Sequence, residues 1–446
     1  MREVPRPLAV LVALLACAIL ALTLAACGDD DEGGDEVTAV EAVDANCSDV
    51  EYQGEGDPSA LIVSDLPLQG DSAERSSQMN EAIRRELDDS GWKAGSTNVA
   101  FQACDDSIEK TGEWDEGVCR SNANAYAENS DVIGVIGTYN SGCAAEIIPI
   151  LNEAPGGGVP MVSPGNTLVC LTETGSTCKP DEPGSYYPSG TRNYARVVPN
   201  DASQGAGLAS FAEDEGVGSA FILIAPDDPT SEGQGRTFEG AARALGIEIA
   251  GVEHYDLEAN SYTDLMQKVK ASGADAVFLA AILEENGAQL IKDKVAVLGP
   301  NDGRVKLFAP DGFAQQSTID QAGSDSAGMF VGLPGKTPET LTGPGEELVQ
   351  QLEEEVGDEP VEVFAPYAGQ AAAVLLDAIG GGQDRAGTID ALFQTDVTDG
   401  IIGSFAITRT GDPTPAPVSV LKASDTFEFD KAIVPPNRLI AAARGG

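Results

Sequence analysis

The chain has 446 residues, enough for two domains of ordinary size with appendages, and its apolar fraction of 42% supports packed cores. Lys and Arg number 26 against 72 Asp and Glu, a formal charge of -46. That charge repels nucleic acid and anionic headgroups, so nucleic acid is excluded as a partner, and it implies a strongly solvated surface.

Arg2 and Arg6 precede a run from Leu8 to Ala26 whose only polar side chain is Thr23, the pattern of an export signal over 1-26. The run closes on Leu24-Ala25-Ala26-Cys27, which resembles the lipobox of bacterial lipoproteins and implies that Cys27 carries lipid. No later segment is long and apolar enough to span a bilayer, so the lipid is the expected membrane contact. Residues 27-57 are rich in Asp, Glu and Gly and read as an acidic, self-repelling tether, with Cys47 a hint of a staple to the body.

From Ala60 onward strand and helix patterns alternate. Strands are predicted at Ala60-Ser64, Asn98-Gln102, Val132-Ile136, Val159-Val162, Tyr194-Val198, Ala220-Ala225, Ile247-Val252, Ala276-Ala280, Val305-Phe308 and Met329-Val331. Helices are predicted at Ser76-Asp89, Arg120-Glu128, Ala144-Asn152, Gln204-Glu213, Thr237-Leu245, Tyr262-Ala271, Gly287-Val297, Gly343-Val356 and Pro366-Ile379, followed by short strands and turns. This order predicts an α/β protein with doubly wound parallel sheets.

The stretch Asp131 to Thr167 is a β-α-β unit with small-residue turns, Asn140-Ser141-Gly142 and Ser163 to Thr167, at the carboxyl ends of its strands, where open α/β sheets bind ligands. Asp131-Val-Ile-Gly-Val-Ile-Gly-Thr is echoed at Asp275, and Val159-Pro-Met-Val-Ser-Pro-Gly-Asn at Val305, at offsets of 144 and 146 residues. Paired echoes at nearly one spacing predict two like-folded lobes. If the lobes face each other, Asn140, Ser141 and Gly165, Asn166 and Thr167 oppose Glu284, Glu285 and Asp311. Hydroxyls and N–H groups on one wall suit a carboxylate or amide oxygen, and carboxylates on the other suit an ammonium group.

Excluding Cys17 and Cys27, six cysteines remain, an even set suited to an oxidising exterior. Cys170 and Cys178 bracket a short loop and are the expected pair. Cys47, Cys104, Cys119 and Cys143 allow three connectivities. With one histidine, His254, and no C-x-x-C, no metal site or cofactor is expected; paired acids such as Asp105-Asp106 and Asp227-Asp228 read as solvated loops. No G-x-S-x-G or phosphate-binding loop occurs, so an enzyme is not expected.

Several motifs carry a family resemblance. They are Ser64-Asp65-Leu66-Pro67-Leu68-Gln69-Gly70, Val135-Ile136-Gly137 through Ser141-Gly142-Cys143, Pro160-Met161-Val162-Ser163-Pro164, Arg196-Val197-Val198-Pro199-Asn200-Asp201 leading into Gln204-Gly205, and Gly273-Ala274-Asp275-Ala276-Val277. From about Ala60 to its end the chain resembles extracellular solute-binding proteins of the branched-chain amino acid and amide type. That resemblance implies a periplasmic-binding fold of two lobes, 58-196 plus 334-417 and 197-333 plus 418-446. It implies three hinge crossovers, near Arg196-Val197, Leu333-Pro334 and Pro417-Val418. It implies carboxylate-binding hydroxyls at Ser141 and Thr167 beside the Gly165 backbone, and an ammonium-binding acid at Asp311. The implied function is a monomeric, lipid-anchored subunit of an ABC importer, with permease and ATPase partners, on the extracellular face or in the periplasm. A sensory lipoprotein sharing the cleft is the alternative. Three positions that are often aromatic in the family fall near Glu232, at Ala281-Ile282 and within Asp71 to Arg75, so a polar or cationic solute suits this chain better than leucine, with Glu232 and Glu284 as candidate contacts.

Overall fold

The computed structural model describes residues 40–109, 112–357 and 359–445; the signal segment, Cys27 and the first part of the expected tether lie outside them. Two α/β lobes are built on two mainly parallel sheets. In the first lobe the strands are β1 (Ala60–Leu66), β2 (Lys93–Ala94), β3 (Thr97–Asp105), β4 (Val132–Gly137), β5 (Met161–Ser163) and β6 (Tyr194–Arg196), in the order β2-β3-β1-β4-β5-β6. Helices α1 (Ala73–Asp89), α2 (Glu116–Glu128) and α3 (Ser141–Asn152) connect them. Strand β1 is an unbroken buried run, as expected of a strand covered on both faces. Its alternation decides the layers: Leu61 and Val63 pack with the α2 and α3 residues Ala123 and Ile147, while Ile62 packs with Met79 and Ile83 of α1.

The second lobe repeats the plan. Its strands are β7 (Ser219–Ile224), β8 (Glu248–His254), β9 (Ala276–Ala280), β10 (Lys306–Ala309) and β11 (Phe330–Pro334), connected through α5 (Pro229–Leu245), α6 (Thr263–Ser272), α7 (Gly287–Leu298) and α8 (Gln316–Ala322), with α4 (Asp201–Asp214) leading into β7. The order β8-β7-β9-β10-β11 repeats β3-β1-β4-β5-β6 strand for strand, so the echo between Asp131 and Asp275 reflects two copies of one topology. Helices α9 (Pro344–Val356), α10 (Ala365–Gly382) and α11 (Arg385–Leu392) follow, and α10 packs on α1 in the first lobe. A small sheet, β12 (Asp396–Gly400), β13 (Gly403–Ile407) and β14 (Pro413–Thr414), precedes β15 (Val418–Ala423), β16 (Phe427–Ile433) and α12 (Asn437–Ala443). Both sheets are parallel at their centres and antiparallel at an edge, where β2 pairs with β3, and β15 with β11 and β16.

Three passages connect the two sheets: from β6 into α4, out of β11 beyond Pro334, and into β15 at Val418. The second and third are tied together by Gly335 N–H donating to Pro417 O (2.9 Å) and the Ser419 hydroxyl donating to Gly335 O (2.7 Å).

The described part of the 27-57 segment is not a tether. Val40 and Val43 are buried, Glu51 exchanges backbone hydrogen bonds with Phe101 of β3, and Cys47 is bonded to Cys104. Acidic composition masked a short β-like strip pinned to the body by its buried Val40 and Val43. The remaining disulfides are Cys119–Cys143 and Cys170–Cys178.

Candidate ligand-binding site

The carboxyl ends of both sheets border one cavity of about 950 Å³. In an α/β sheet these ends, where the strand order reverses, form a crevice that exposes loop backbone and helix amino ends. One reversal lies between β1 and β4 and the other between β7 and β9. The first lobe contributes Tyr139, Asn140, Ser141 and Gly142 after β4, and Gly165 and Thr167 after β5. Across it the second lobe contributes Asp228 after β7, Glu284 and Glu285 after β9, and Asp311 after β10.

The first wall is built from close backbone approach. Helix α3 begins at Ser141 with no acid in its first turn and no side-chain cap from Asn140, so no acid of its own first turn offsets the positive amino end that borders the cavity. Glycine is required at two points of this wall. A Cβ on Gly142 would lie 2.3 Å from the Trp114 ring, and one on Gly165 would lie 2.7 Å from the Tyr139 ring. The Ser141 hydroxyl accepts from the N–H groups of Thr167 (3.1 Å) and Leu168 (3.2 Å), which stitches the two turns together and leaves its own hydrogen free to donate.

The second wall is carboxylate-rich. Asp311 is buried and accepts from the Gln204 amide at 2.6 Å and from the Gln234 amide at 3.4 Å. Burial pushes its pKa up to about 6, while the Gln204 hydrogen bond and the Arg75 charge act the other way. Glu285 accepts from the Ser231 hydroxyl (3.0 Å) and from Ile282 N–H (2.9 Å); burial, then the Asp228 charge, raise its pKa. Glu284 accepts from the hydroxyl of Ser72 at 3.2 Å and from the Gln315 amide at 3.4 Å, a contact that bridges the lobes.

Of the residues predicted from sequence, Asn140, Ser141, Gly142, Gly165, Thr167, Glu284 and Asp311 border the cavity together. Asn166 does not. It is fully buried, donating to the Thr138 and Tyr139 carbonyls and accepting from the Tyr194 hydroxyl, and so shapes the turn from behind. Glu232 is also displaced. Helix α5 begins eight residues before the predicted Thr237, with Asp228 as N-cap (2.7 Å to Ser231 N–H) and Pro229 at its first position. Glu232 therefore sits in a helix and not in a Gly-x-Gly turn, where it pairs outward with Arg236 (2.8 Å) and His254 (2.7 Å). Ser231 and Gln234, three apart on the same helical face, point inward instead.

Sequence reasoning missed Ser72, Trp114, Tyr139 and Gln234 at the cavity. The Asp-Pro cap signal locates Gln234 in hindsight, whereas Trp114 and Tyr139 lie in loops with no periodicity to mark them. Tyr139 packs against Arg75, whose guanidinium carbon lies 3.8 Å from the ring centroid. Arg75 also donates to Gln315 Oε1 (2.6 Å) and the Ser72 hydroxyl (2.7 Å).

Two parallel-sheet lobes facing one another across such a cavity define the type I periplasmic-binding fold. A model of the family described as "Periplasmic binding protein" matches residues 107–427, and the chain belongs to that family, whose members bind solutes and are not enzymes. It is 25% identical over 195 residues to "Leu/Ile/Val-binding protein homolog 6" of Brucella suis biovar 1, an alignment covering 42% of this chain. The chain spans about half the length of that curated relative, 48%. Among solved structures it resembles the leucine binding protein LivK of Thermotoga maritima (TM-score 0.72, 21% identity, covering 84% of this chain and 99% of that one). It also resembles a solute binding protein of R. palustris in complex with benzoate (TM-score 0.68, 16% identity, 84% and 97% covered). At these identities the structural likeness speaks to the fold.

Proposed function

We propose that the chain is the solute-binding subunit of an ABC importer, held outside the membrane by lipid on Cys27, and that it captures an amino acid or amide-like solute between its lobes for delivery to a permease and its ATPase. The observation that carries this reading is the opposition of walls. The amino end of α3 with Ser141, Gly165 and Thr167 faces Asp311 and Glu284 across one cavity, complementary to the two ends of a zwitterion. The family match and the relationship to Leu/Ile/Val-binding proteins support it. Three cystine pairs suit an oxidising exterior.

Titration calorimetry and thermal shift with amino acids, amides and urea test the cleft. One solute class is expected to bind, adding about 2.7 kcal/mol of stability at 100 times its Kd. Asp311→Asn keeps the shape but removes the charge, and should weaken an ammonium-bearing solute by about 10-fold or more, the value of a charge-assisted hydrogen bond. If no small solute stabilises the protein and Asp311→Asn alters nothing, the reading fails. The anchor is tested separately: fatty-acid label should be incorporated into the wild type and lost in Cys27→Ser.

A further inference from the structure

Resting on that reading, we propose that the solute is an α-amino acid whose side chain ends in an ammonium or guanidinium group, recognised by the acidic second-lobe wall. Seven carboxylates border the cavity, six of them from the second lobe: Asp227, Asp228, Glu258, Glu284, Glu285 and Asp311. No Lys or Arg borders it among the described residues. One acid suffices for an α-ammonium group, so even with Glu285 held largely protonated by burial the second-lobe wall keeps a surplus of negative charge.

Two further groups point to a polar ligand, and one of them to a donor. Gln234 borders the cavity, is 2% exposed, and spends its amide N–H on Asp311, while its Oε1 has no hydrogen-bond partner. Tyr139 borders the cavity from the other wall at 6% exposure, and its hydroxyl likewise has none. Buried polar groups of this kind cost free energy until a partner reaches them; the Gln234 oxygen can take only a donor, whereas the Tyr139 hydroxyl can donate or accept. An ammonium or guanidinium group carries three or five N–H donors and no acceptor. A branched aliphatic side chain would satisfy neither the Gln234 oxygen nor the Tyr139 hydroxyl and would bring no charge to the acidic second-lobe wall.

Arg75, whose charge is felt by Asp311, does not occupy this role. It lies behind the Tyr139 ring, engaged by that ring, Gln315 and Ser72, and does not border the cavity. The Glu285 pKa is raised first by burial and then by the Asp228 charge, a like charge beside it that a bound cation would offset.

The test compares arginine, lysine, citrulline, leucine and agmatine by calorimetry on the intact protein. Citrulline keeps the shape of arginine without the charge, and agmatine keeps the charge without the α-carboxylate. Arginine or lysine should bind about 10- to 100-fold more tightly than citrulline and leucine, with the advantage shrinking as salt is raised. Glu284→Gln and Asp228→Asn, the latter retaining a good helix cap, should each weaken arginine or lysine more than citrulline and so reduce that advantage. Leucine or citrulline binding as tightly as arginine overturns this inference and leaves the proposed function standing. Agmatine binding as tightly as arginine also overturns it, since the first wall, which receives the α-carboxylate at α3, Ser141 and Thr167, would then be idle. Failure of every amino acid and amide to bind overturns the proposed function itself.

Discussion

Arg196→Ala is expected to lower the unfolding free energy by about 3–5 kcal/mol, because it leaves a buried partner charge uncompensated. The Arg196 side chain is fully buried and joins three separate parts of the chain. Its Nε lies 3.0 Å from Asp412 beside the small sheet, its terminal nitrogens donate to Asn166 O (2.9 Å) and to the Thr172 hydroxyl (2.6 Å), and its own backbone N–H donates to Gly411 O. Asp412 also accepts from Asn200 (3.1 Å), at the start of α4. One guanidinium thus holds the first passage between the sheets, the strip before the third, and the turn that presents Gly165 and Thr167. For a body of about 400 residues the loss corresponds to a fall in Tm of roughly 4–6 °C. Solute affinity should fall with it, since the 163–167 turn loses a carbonyl anchor. Arg196→Lys should rescue only part of either effect, because an ammonium cannot donate in the same planar fork. A Tm within 1 °C of wild type for Arg196→Ala would show that the passages are held by other contacts.

The fold was legible because its signals are redundant. Strand β1 reads as Ala-Leu-Ile-Val and β4 as Val-Ile-Gly-Val-Ile, the latter followed by a turn of small residues, so composition and period agree. The echo between Asp131 and Asp275 carried the second lobe, and the shared strand order gives it a structural cause. Helix starts were less legible. The observed α2, α3, α4 and α5 all begin earlier than their apolar periodicity, at caps and small residues such as Asp115 and Asp228, which a hydrophobic pattern does not mark. That shortfall displaced Glu232 from the cavity and hid Gln234. The residues between 40 and 57 misled for a different reason: among many acids, Val40, Val43 and Cys47 are enough to pin a strip to β3. Trp114 and Tyr139 were beyond reach, since loop residues meet the cavity only through tertiary packing.

The protein free of solute is expected to be more stable near pH 5 than near pH 8.5, with a Tm difference on the order of 5–10 °C at low salt. Three buried acids carry the argument. Burial, then the Asp311 charge, push Asp201 up to about 8; burial pushes Glu362 up to about 7 against the Arg75 charge, with Glu74 adding to the rise; and Asp311 stands at about 6. In the unfolded chain these groups ionise near pH 4. Between that value and their folded values the native state therefore holds more protons than the unfolded state, and stability falls with rising pH. Their contribution is complete below about pH 4 and is lost as pH climbs through 6 to 8. Each unit of displacement is worth about 1.4 kcal/mol, so the three together amount to several kcal/mol. The net charge of -46 acts in the same direction, because deprotonation adds to self-repulsion in the compact state, and salt should reduce that part alone. Asp201→Asn separates the two causes. The amide imitates the protonated acid, so the variant should match the wild type near pH 5, exceed it at pH 8.5, and show a flatter Tm profile even at high salt. A wild-type Tm that rises steadily from pH 5 to 8.5, or an Asp201→Asn profile parallel to that of the wild type, would show that these carboxyls are ionised in the folded protein and held by partners stronger than the burial that opposes them.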